Sequence, residues 1–202
     1  METVPSALLF DMDGVLVRSE DIWFRVVEEA GVRFRGRAIT REEFDPTFGQ
    51  GTEADITRFG LSCSVAELNR FYAENFGRYV DQVWIDPEAR PLLERLSGEG
   101  LRLAVVTNTT TPLAEDILRA AGLRGFFQTV ACADQVPRPK PHPDLVLHAL
   151  SGLGARAGEA WMIGDSRYDR EAARGAGVHF IGLRQDGDAR VDRLADLARL
   201  VS

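Results

Sequence analysis

The sequence predicts an α/β fold: a parallel sheet covered by helices and interrupted by one helical insert. Short apolar runs at 7–10, 101–106 and 160–163 each stop abruptly at polar residues, as buried strands do on leaving a sheet. Two further runs, 130–133 and 178–183, have the same character. Between the runs lie helical patterns at 87–97, 112–121, 144–153, 169–175 and 191–201, and strand–helix alternation of this kind marks a parallel sheet. Right-handed crossovers put the carboxyl ends of all such strands on one edge, the Rossmann-like arrangement in which ligands bind at that edge. Asp11, Thr107 and Asp165 all fall there.

One long segment breaks the alternation. From about 19 to 83 there is no strand pattern, only helical pieces at 20–30, 52–59 and 64–83. The last of these opens with Ser64-Val-Ala-Glu67, the spacing of a capping box, in which Ser and Glu satisfy free N–H groups at a helix start. The expected organisation is an α/β core built from 1–17 and 84–202, with 18–83 inserted after the first strand as a helical unit over the sheet edge.

Composition narrows the function. A chain of 202 residues is long enough for one core with a smaller insert, and 45% hydrophobic with 27% charged residues is ordinary for a globular protein. A net charge of −7 repels polyanions and argues against a nucleic-acid or anionic-membrane partner. A small anionic substrate then needs local positive charge, from a metal or a placed cation. The stretch METVPSALLF lacks the basic region and long apolar run of a signal peptide, and no segment reaches the length of a membrane span, so a cytoplasmic location is expected. Cys63 and Cys132 form no CxxC or Cys/His cluster and are expected as two buried thiols.

The strongest chemical signal is Leu8-Leu-Phe-Asp11-Met-Asp13-Gly14-Val-Leu16. Two carboxylates at i and i+2 leave a buried strand together, and a divalent cation would relieve their repulsion. An isolated Asp-x-Asp is ordinarily a turn cap. Here Asp165 and Asp169, in Gly164-Asp-Ser-Arg-Tyr-Asp169, leave another strand at the same edge, and like-charged neighbours disfavour one another's ionisation unless a cation joins them. Thr107-Asn108, before a helix, is either a simple turn or a phosphate seat made of a hydroxyl and backbone N–H groups.

Lys140 is the only lysine in the chain; arginine supplies the rest of the 24 basic side chains. It lies in Val136-Pro-Arg-Pro-Lys-Pro-His-Pro-Asp144, among four prolines that restrict its backbone. Most lysines are solvated surface residues. A sequence that otherwise uses arginine wherever a cation is needed points to a site that requires a compact point charge rather than a planar fork.

Asp11-x-Asp13-Gly-Val-Leu, Thr107-Asn108, Lys140-Pro and Gly164-Asp165-Ser-x-x-Asp169, in this order and at these strand ends, resemble the four motifs of the haloacid dehalogenase-like (HAD) superfamily. The insert resembles its small α-helical cap, and the chain is most similar to the phosphoglycolate phosphatase and β-phosphoglucomutase branch. The resemblance implies that Asp11 is a nucleophile forming an aspartyl-phosphate, and that Asp13 is general acid and then general base. It implies Mg²⁺ held by Asp11, the Asp13 backbone carbonyl and Asp165, with Asp169 as a further ligand or support. Thr107 and the Asn108 backbone would hold phosphoryl oxygens, Lys140 would lie between Asp11, a second acid and the phosphoryl group, and Gly49 and Gln50, in Phe48-Gly-Gln-Gly-Thr52, would read the substrate. The implied partner is a small phosphorylated metabolite, and the expected state of a small capped hydrolase is a monomer.

Asp13 favours phosphoryl transfer over dehalogenation, because a departing halide needs no proton. The insert has no lysine, which disfavours the Schiff-base chemistry of phosphonoacetaldehyde hydrolase. A nucleotide-cofactor enzyme is disfavoured too, since no G-x-G-x-x-G follows the first strand. A sugar phosphomutase stays open, with Arg25, Arg41, Arg58, Arg70 and Arg78 of the insert as candidates for a second phosphate site, as does an idle Mg²⁺- and phosphate-binding module. Arg18 departs from the pattern, since many relatives carry an acid just before the residue matching Ser19.

Overall fold

The computed structural model describes residues 5–201. Along these residues run β1 (Ala7–Phe10), β2 (Val17–Arg18), α1 (Glu20–Arg35), α2 (Arg41–Phe44), α3 (Thr52–Phe59), α4 (Val65–Phe76), β3 (Trp84–Ile85), α5 (Ala89–Gly98), β4 (Arg102–Thr107) and α6 (Thr111–Ala120). Then follow β5 (Thr129–Cys132), α7 (Asp144–Leu153), β6 (Ala160–Gly164), α8 (Arg167–Ala176), β7 (His179–Leu183), β8 (Ala189–Val191) and α9 (Leu197–Leu200). Short 3₁₀ turns link several of them.

The main sheet has the order β5-β4-β1-β6-β7-β8, with every neighbouring pair parallel. This is a Rossmann-like α/β fold. The chain builds outward from β1 through β4 to β5, then crosses back to lay β6, β7 and β8 on the other side. The switch in direction lies between β1 and β6, where Phe10 is in register with Ile163. A crevice at the carboxyl end of such a switch point is where open α/β sheets bind ligands.

Alternation along the strands builds two cores. Leu8 and Phe10 join Leu103, Val105, Ile163 and Ile181 on one face, under α5 and α6. Ala7 and Leu9 join Ala104, Val106, Met162 and Phe180 on the other, under α7 and α8. The strands are buried on both faces, which is why they read as continuous apolar runs.

Between β2 and β3 the described chain is helical. α1 buries Ile22, Val26, Val27 and Ala30 on one stripe and stops at Gly36, whose φ of 78° ends the helix in a left-handed cap. The capping box at Ser64 and Glu67 is present, and Thr40 with Glu43 forms a second one. Leu68, Tyr72 and Phe76 of α4 pack against Trp23 and the face of the sheet core that holds Phe10.

The structure corrects three expectations. The pattern over 191–201 is not one helix: Val191 ends β8, a 3₁₀ turn covers Leu194–Asp196, and α9 begins at Leu197. Val191, Leu194, Leu197, Ala198 and Val201 are buried at helix-like spacing in mixed structure, so spacing could not separate the alternatives. The helix expected over 64–83 ends at Phe76 and continues as a 3₁₀ stretch, Gly77–Gln82. Cys132 is buried, but Cys63, in the turn before α4, is partly exposed. Just outside the strand-free span, β2 and β3 form a two-residue antiparallel pair where the chain enters and leaves the helical segment, too short for any alternation to register. There the Arg18 guanidinium lies 4.2 Å from the centre of the Trp84 ring, a cation–π contact that gives this unexpected arginine a structural role.

Replacing Ser64 by Ala removes one side of the α4 capping box and is expected to cost about 1 kcal/mol. A lower urea midpoint with unchanged slope is the predicted result; an unchanged midpoint would show that the box adds nothing to folding.

Candidate active site

β1 delivers Asp11 to the switch point, and the residues that follow turn tightly, with Gly14 N–H donating to Val17 O at 2.7 Å. Gly14 has φ of 89°, and a Cβ there would lie 1.9 Å from Asp165 Oδ2. Glycine is therefore required twice over: by the backbone conformation and because Asp165, arriving from β6, is pressed against the Asp11 loop. Arg184 clamps the same loop, donating to Gly14 O at 2.8 Å.

Lys140 reaches this place from a loop 129 residues away in sequence. Its Nζ donates to Asp11 Oδ1 at 2.8 Å, to Asp169 Oδ1 at 2.7 Å and to the Val106 carbonyl at 2.9 Å. All three N–H groups are thereby used, so none is left over for the phosphoryl oxygen expected from the sequence. The side chain is 2% exposed, and its carboxylate partners hold the ammonium well above the usual lysine range despite the opposing cost of burial. Its backbone is fixed by Asn108, whose Oδ1 accepts from Lys140 N–H and whose Nδ2 donates to Lys140 O, both at 2.9 Å. The Asn108 side chain is thus the brace of the lysine loop, a role beyond the backbone contact expected for it.

The acids occupy distinct settings. Asp11 and Asp169 are buried, and Asp165 is partly so. Burial first, and Asp169 second, push the Asp11 carboxyl well above its usual range, with Lys140 pulling the other way. Burial and Asp169 likewise push Asp165 up to about 7. Asp169 Oδ1 is held by Lys140 and its Oδ2 by the Ser166 N–H at 3.0 Å and hydroxyl at 2.5 Å. Asp13 accepts from the Ser19 hydroxyl, from Trp23 Nε1 at 3.2 Å and, on its other oxygen, from Thr109 Oγ1 at 3.0 Å.

Asp11, Asp165 and Asp169 each offer an oxygen within 4.8 Å of the others. An all-oxygen set suits a hard divalent cation. Two raised carboxyls side by side are the electrostatic sign of a place where positive charge is wanted.

Above the acids lies a cavity of about 60 Å³, enough for several waters, lined by Asp11, Asp13, Thr107, Asn108, Thr109 and Lys140 from the sheet edge. From the helical segment come Trp23, Phe44, Phe48, Gly49, Gln50, Asp55 and Tyr72. Thr107 is buried, and its Oγ1 accepts from Thr109 N–H at 3.0 Å. Gly49 O accepts from Asn108 Nδ2 at 2.9 Å, tying the helical segment's loop to the lysine loop. Gln50 Nε2 donates to Asp55 Oδ1 at 2.6 Å.

The structure thus gathers Asp11, Asp13, Thr107, Asn108, Lys140, Gly49 and Gln50 around one cavity, with Asp165 and Asp169 beside it. It does not bring in the insert arginines: Arg25, Arg58, Arg70 and Arg78 are exposed and Arg41 is held by Glu20, Asp21 and Asp45, all outside the cavity wall. The sequence gives no site role to Trp23, Thr109 or Asp55, and it marks Ser19 only as a family landmark, not as a donor to Asp13. Thr109 had a signal, since it sits two residues past Thr107 on the same strand exit; Trp23 and Asp55 did not.

Residues 8–183 match the family model described as haloacid dehalogenase-like hydrolase. A phosphoglycolate phosphatase from Pectobacterium atrosepticum is 28% identical across 98% of this chain and 93% of its own. A second one, from Yersinia pseudotuberculosis, is 30% identical across 86% of this chain and 78% of its own. Among solved structures, CbbY from Rhodobacter sphaeroides in complex with phosphate superposes with a TM-score of 0.85 at 28% identity, covering 96% of each chain. The chain belongs to the haloacid dehalogenase-like hydrolases. It is an enzyme of the phosphatase kind that its curated relatives carry in their names.

Replacing Asn108 by Ala removes the brace between the Gly49 and Lys140 segments. Hydrogen exchange is expected to rise in both segments, with a stability loss of about 1–3 kcal/mol. Unchanged exchange at 48–52 would show that the contact does not hold the loop.

Proposed function

We propose that this protein is a Mg²⁺-dependent phosphomonoester hydrolase acting on a small phosphorylated metabolite through an aspartyl-phosphate on Asp11, with the segment 18–83 as a cap over the site. The observation that carries this reading is the placement of Asp11: a buried carboxylate at the switch point, with one oxygen held by Lys140 and the other without a protein donor among the described residues.

An attacking carboxylate must be ionised and aimed. Lys140 aims the acid through Oδ1 and opposes part of the rise that burial and Asp169 cause, and the bound metal would supply the remaining positive charge. Its link to Asp169 fixes the ammonium, and Ser166 fixes Asp169 in turn, so Asp169 serves as support for the lysine. Asp13 lies two residues on, held by Ser19, Trp23 and Thr109, where it would protonate the leaving alkoxide and later take the proton of the hydrolytic water. The Thr107 hydroxyl and the backbone after it would seat phosphoryl oxygens. Asp11, Asp165 and the Asp13 carbonyl would hold Mg²⁺, which when bound neutralises the phosphoryl oxygens and steadies them in line with the nucleophile. Among the described residues no arginine lines the cavity, which supports a hydrolase over a mutase, since a mutase must seat a second phosphate.

Phosphate release from a panel of phosphoglycolate, hexose phosphates and nucleoside monophosphates tests the reading. Turnover should require Mg²⁺ and vanish in Asp11→Asn; metal-independent turnover, or turnover that survives this substitution, contradicts it. Lys140→Arg should lose about 10²-fold or more in kcat although the charge is kept, because a planar fork cannot place donors on Asp11, Asp169 and Val106 O in the same buried space. Near-normal kcat would refute the compact-charge argument.

Metal binding should also show in stability. The Asp165 carboxyl is raised to about 7, so in the metal-free protein its contribution is fully present below its unfolded pKa of about 4 and is lost as pH rises through about 7. Mg²⁺ should restore it, giving a larger increase in Tm at about pH 8 than at about pH 5.5. Equal increases at the two pH values would contradict this charge balance.

A further inference from the structure

The part of the cavity wall supplied by the helical segment contains a third buried acid besides Asp11 and Asp13, Asp55 on α3, which the chemistry above does not use. It is 8% exposed and takes one hydrogen bond on each oxygen, from Gln50 Nε2 at 2.6 Å and from Tyr72 OH at 2.9 Å. No lysine, arginine or histidine accompanies it: among the described residues lining the cavity, Lys140 is the only cation, and its three N–H groups are already engaged. The rest of that wall is aromatic, with Trp23, Phe44, Phe48 and Tyr72.

We propose that Asp55 is a specificity-determining residue that selects, as the alcohol part of the substrate, a small group ending in an uncharged or positively charged hydrogen-bond donor, an ammonium above all, and rejects one ending in a carboxylate or a second phosphate. The inference rests on the phosphomonoesterase reading and narrows its substrate class. Each carboxylate oxygen can accept a further hydrogen bond, so Asp55 can take a donor from the ligand without giving up Gln50 or Tyr72. An ammonium also gains from the faces of the surrounding rings. A ligand carboxylate would meet Asp55 in a low-dielectric cavity with no free cation to balance it, and like charges there repel strongly. Burial lifts the Asp55 carboxyl to about 7 against the pull of its two donors, so a cationic ligand end beside it favours the ionised acceptor and a ligand carboxylate disfavours it.

O-phosphoethanolamine and phosphoglycolate are close in size and differ in the charge at the end that Asp55 would meet. With Mg²⁺ at neutral pH, kcat/KM for O-phosphoethanolamine should exceed that for phosphoglycolate by about tenfold or more, and Asp55→Asn should shrink this ratio by about tenfold, the scale of one hydrogen bond to a charged group. Asparagine keeps the shape and can still pair with Gln50 and Tyr72, so the variant should fold. The wild-type ratio is informative without it. Equal or better turnover of phosphoglycolate overturns the inference, as does a ratio that Asp55→Asn leaves unchanged. Hydrolysis of acetyl phosphate with neither ester turned over overturns the inference alone. No hydrolysis of any of the three overturns the phosphatase reading beneath it.

Discussion

The structure depends on one buried ammonium. Asp11 at the end of β1 and Asp169 in the first turn of α8, which follows the neighbouring parallel strand β6, come to the same point, and both are buried. Burying carboxylates side by side is unfavourable unless positive charge lies within contact distance, and Lys140 provides it at 2.7 and 2.8 Å. Its third donor goes to a strand carbonyl, so the cation is oriented as well as paired. One charge against three clustered acids still leaves a deficit, visible in the raised Asp11 and Asp165 carboxyls. That residual negative charge is the physical reason the proposed Mg²⁺ would bind there.

The rest of the fold serves that point. The sheet switch opens a crevice, Gly14 lets Asp165 press against the Asp11 loop, and Asn108 pins the lysine loop to the loop that carries Gly49. The helical segment supplies aromatic walls and one acid, so the same cavity is ionic at the sheet edge and largely apolar beyond it. Such a division suits an enzyme whose chemistry is fixed and whose substrate choice is made by a few side chains on a separate layer.

Much of this was legible in the sequence because it is local. Asp11, Asp13 and Asp165 stand immediately after apolar runs, so their place at one edge follows from the parallel topology, and Lys140 is marked by being the only residue of its kind. What escaped notice depends on contacts between distant segments. Thr109 reaches Asp13 across 96 residues, and Asp55 meets Tyr72 through the packing of α3 on α4. Asp55 leaves no pattern in its own neighbourhood, and Thr109 only its place two residues past Thr107. The β2–β3 pair and β8 are two and three residues long, below the length at which alternation carries information. The role of Asn108 was half-read, since its position was visible but the direction of its side chain was not.

Because the chain has a single lysine, the central claim can be tested on one signal. With ¹⁵N-labelled lysine, a buried ammonium bound to three acceptors should give one persistent ¹H–¹⁵N correlation at neutral pH, protected from exchange with water and lost on unfolding. An ammonium whose protons exchange as fast as those of a solvent-exposed lysine would contradict the account, because Asp11 and Asp169 would then lack the charge on which their burial depends.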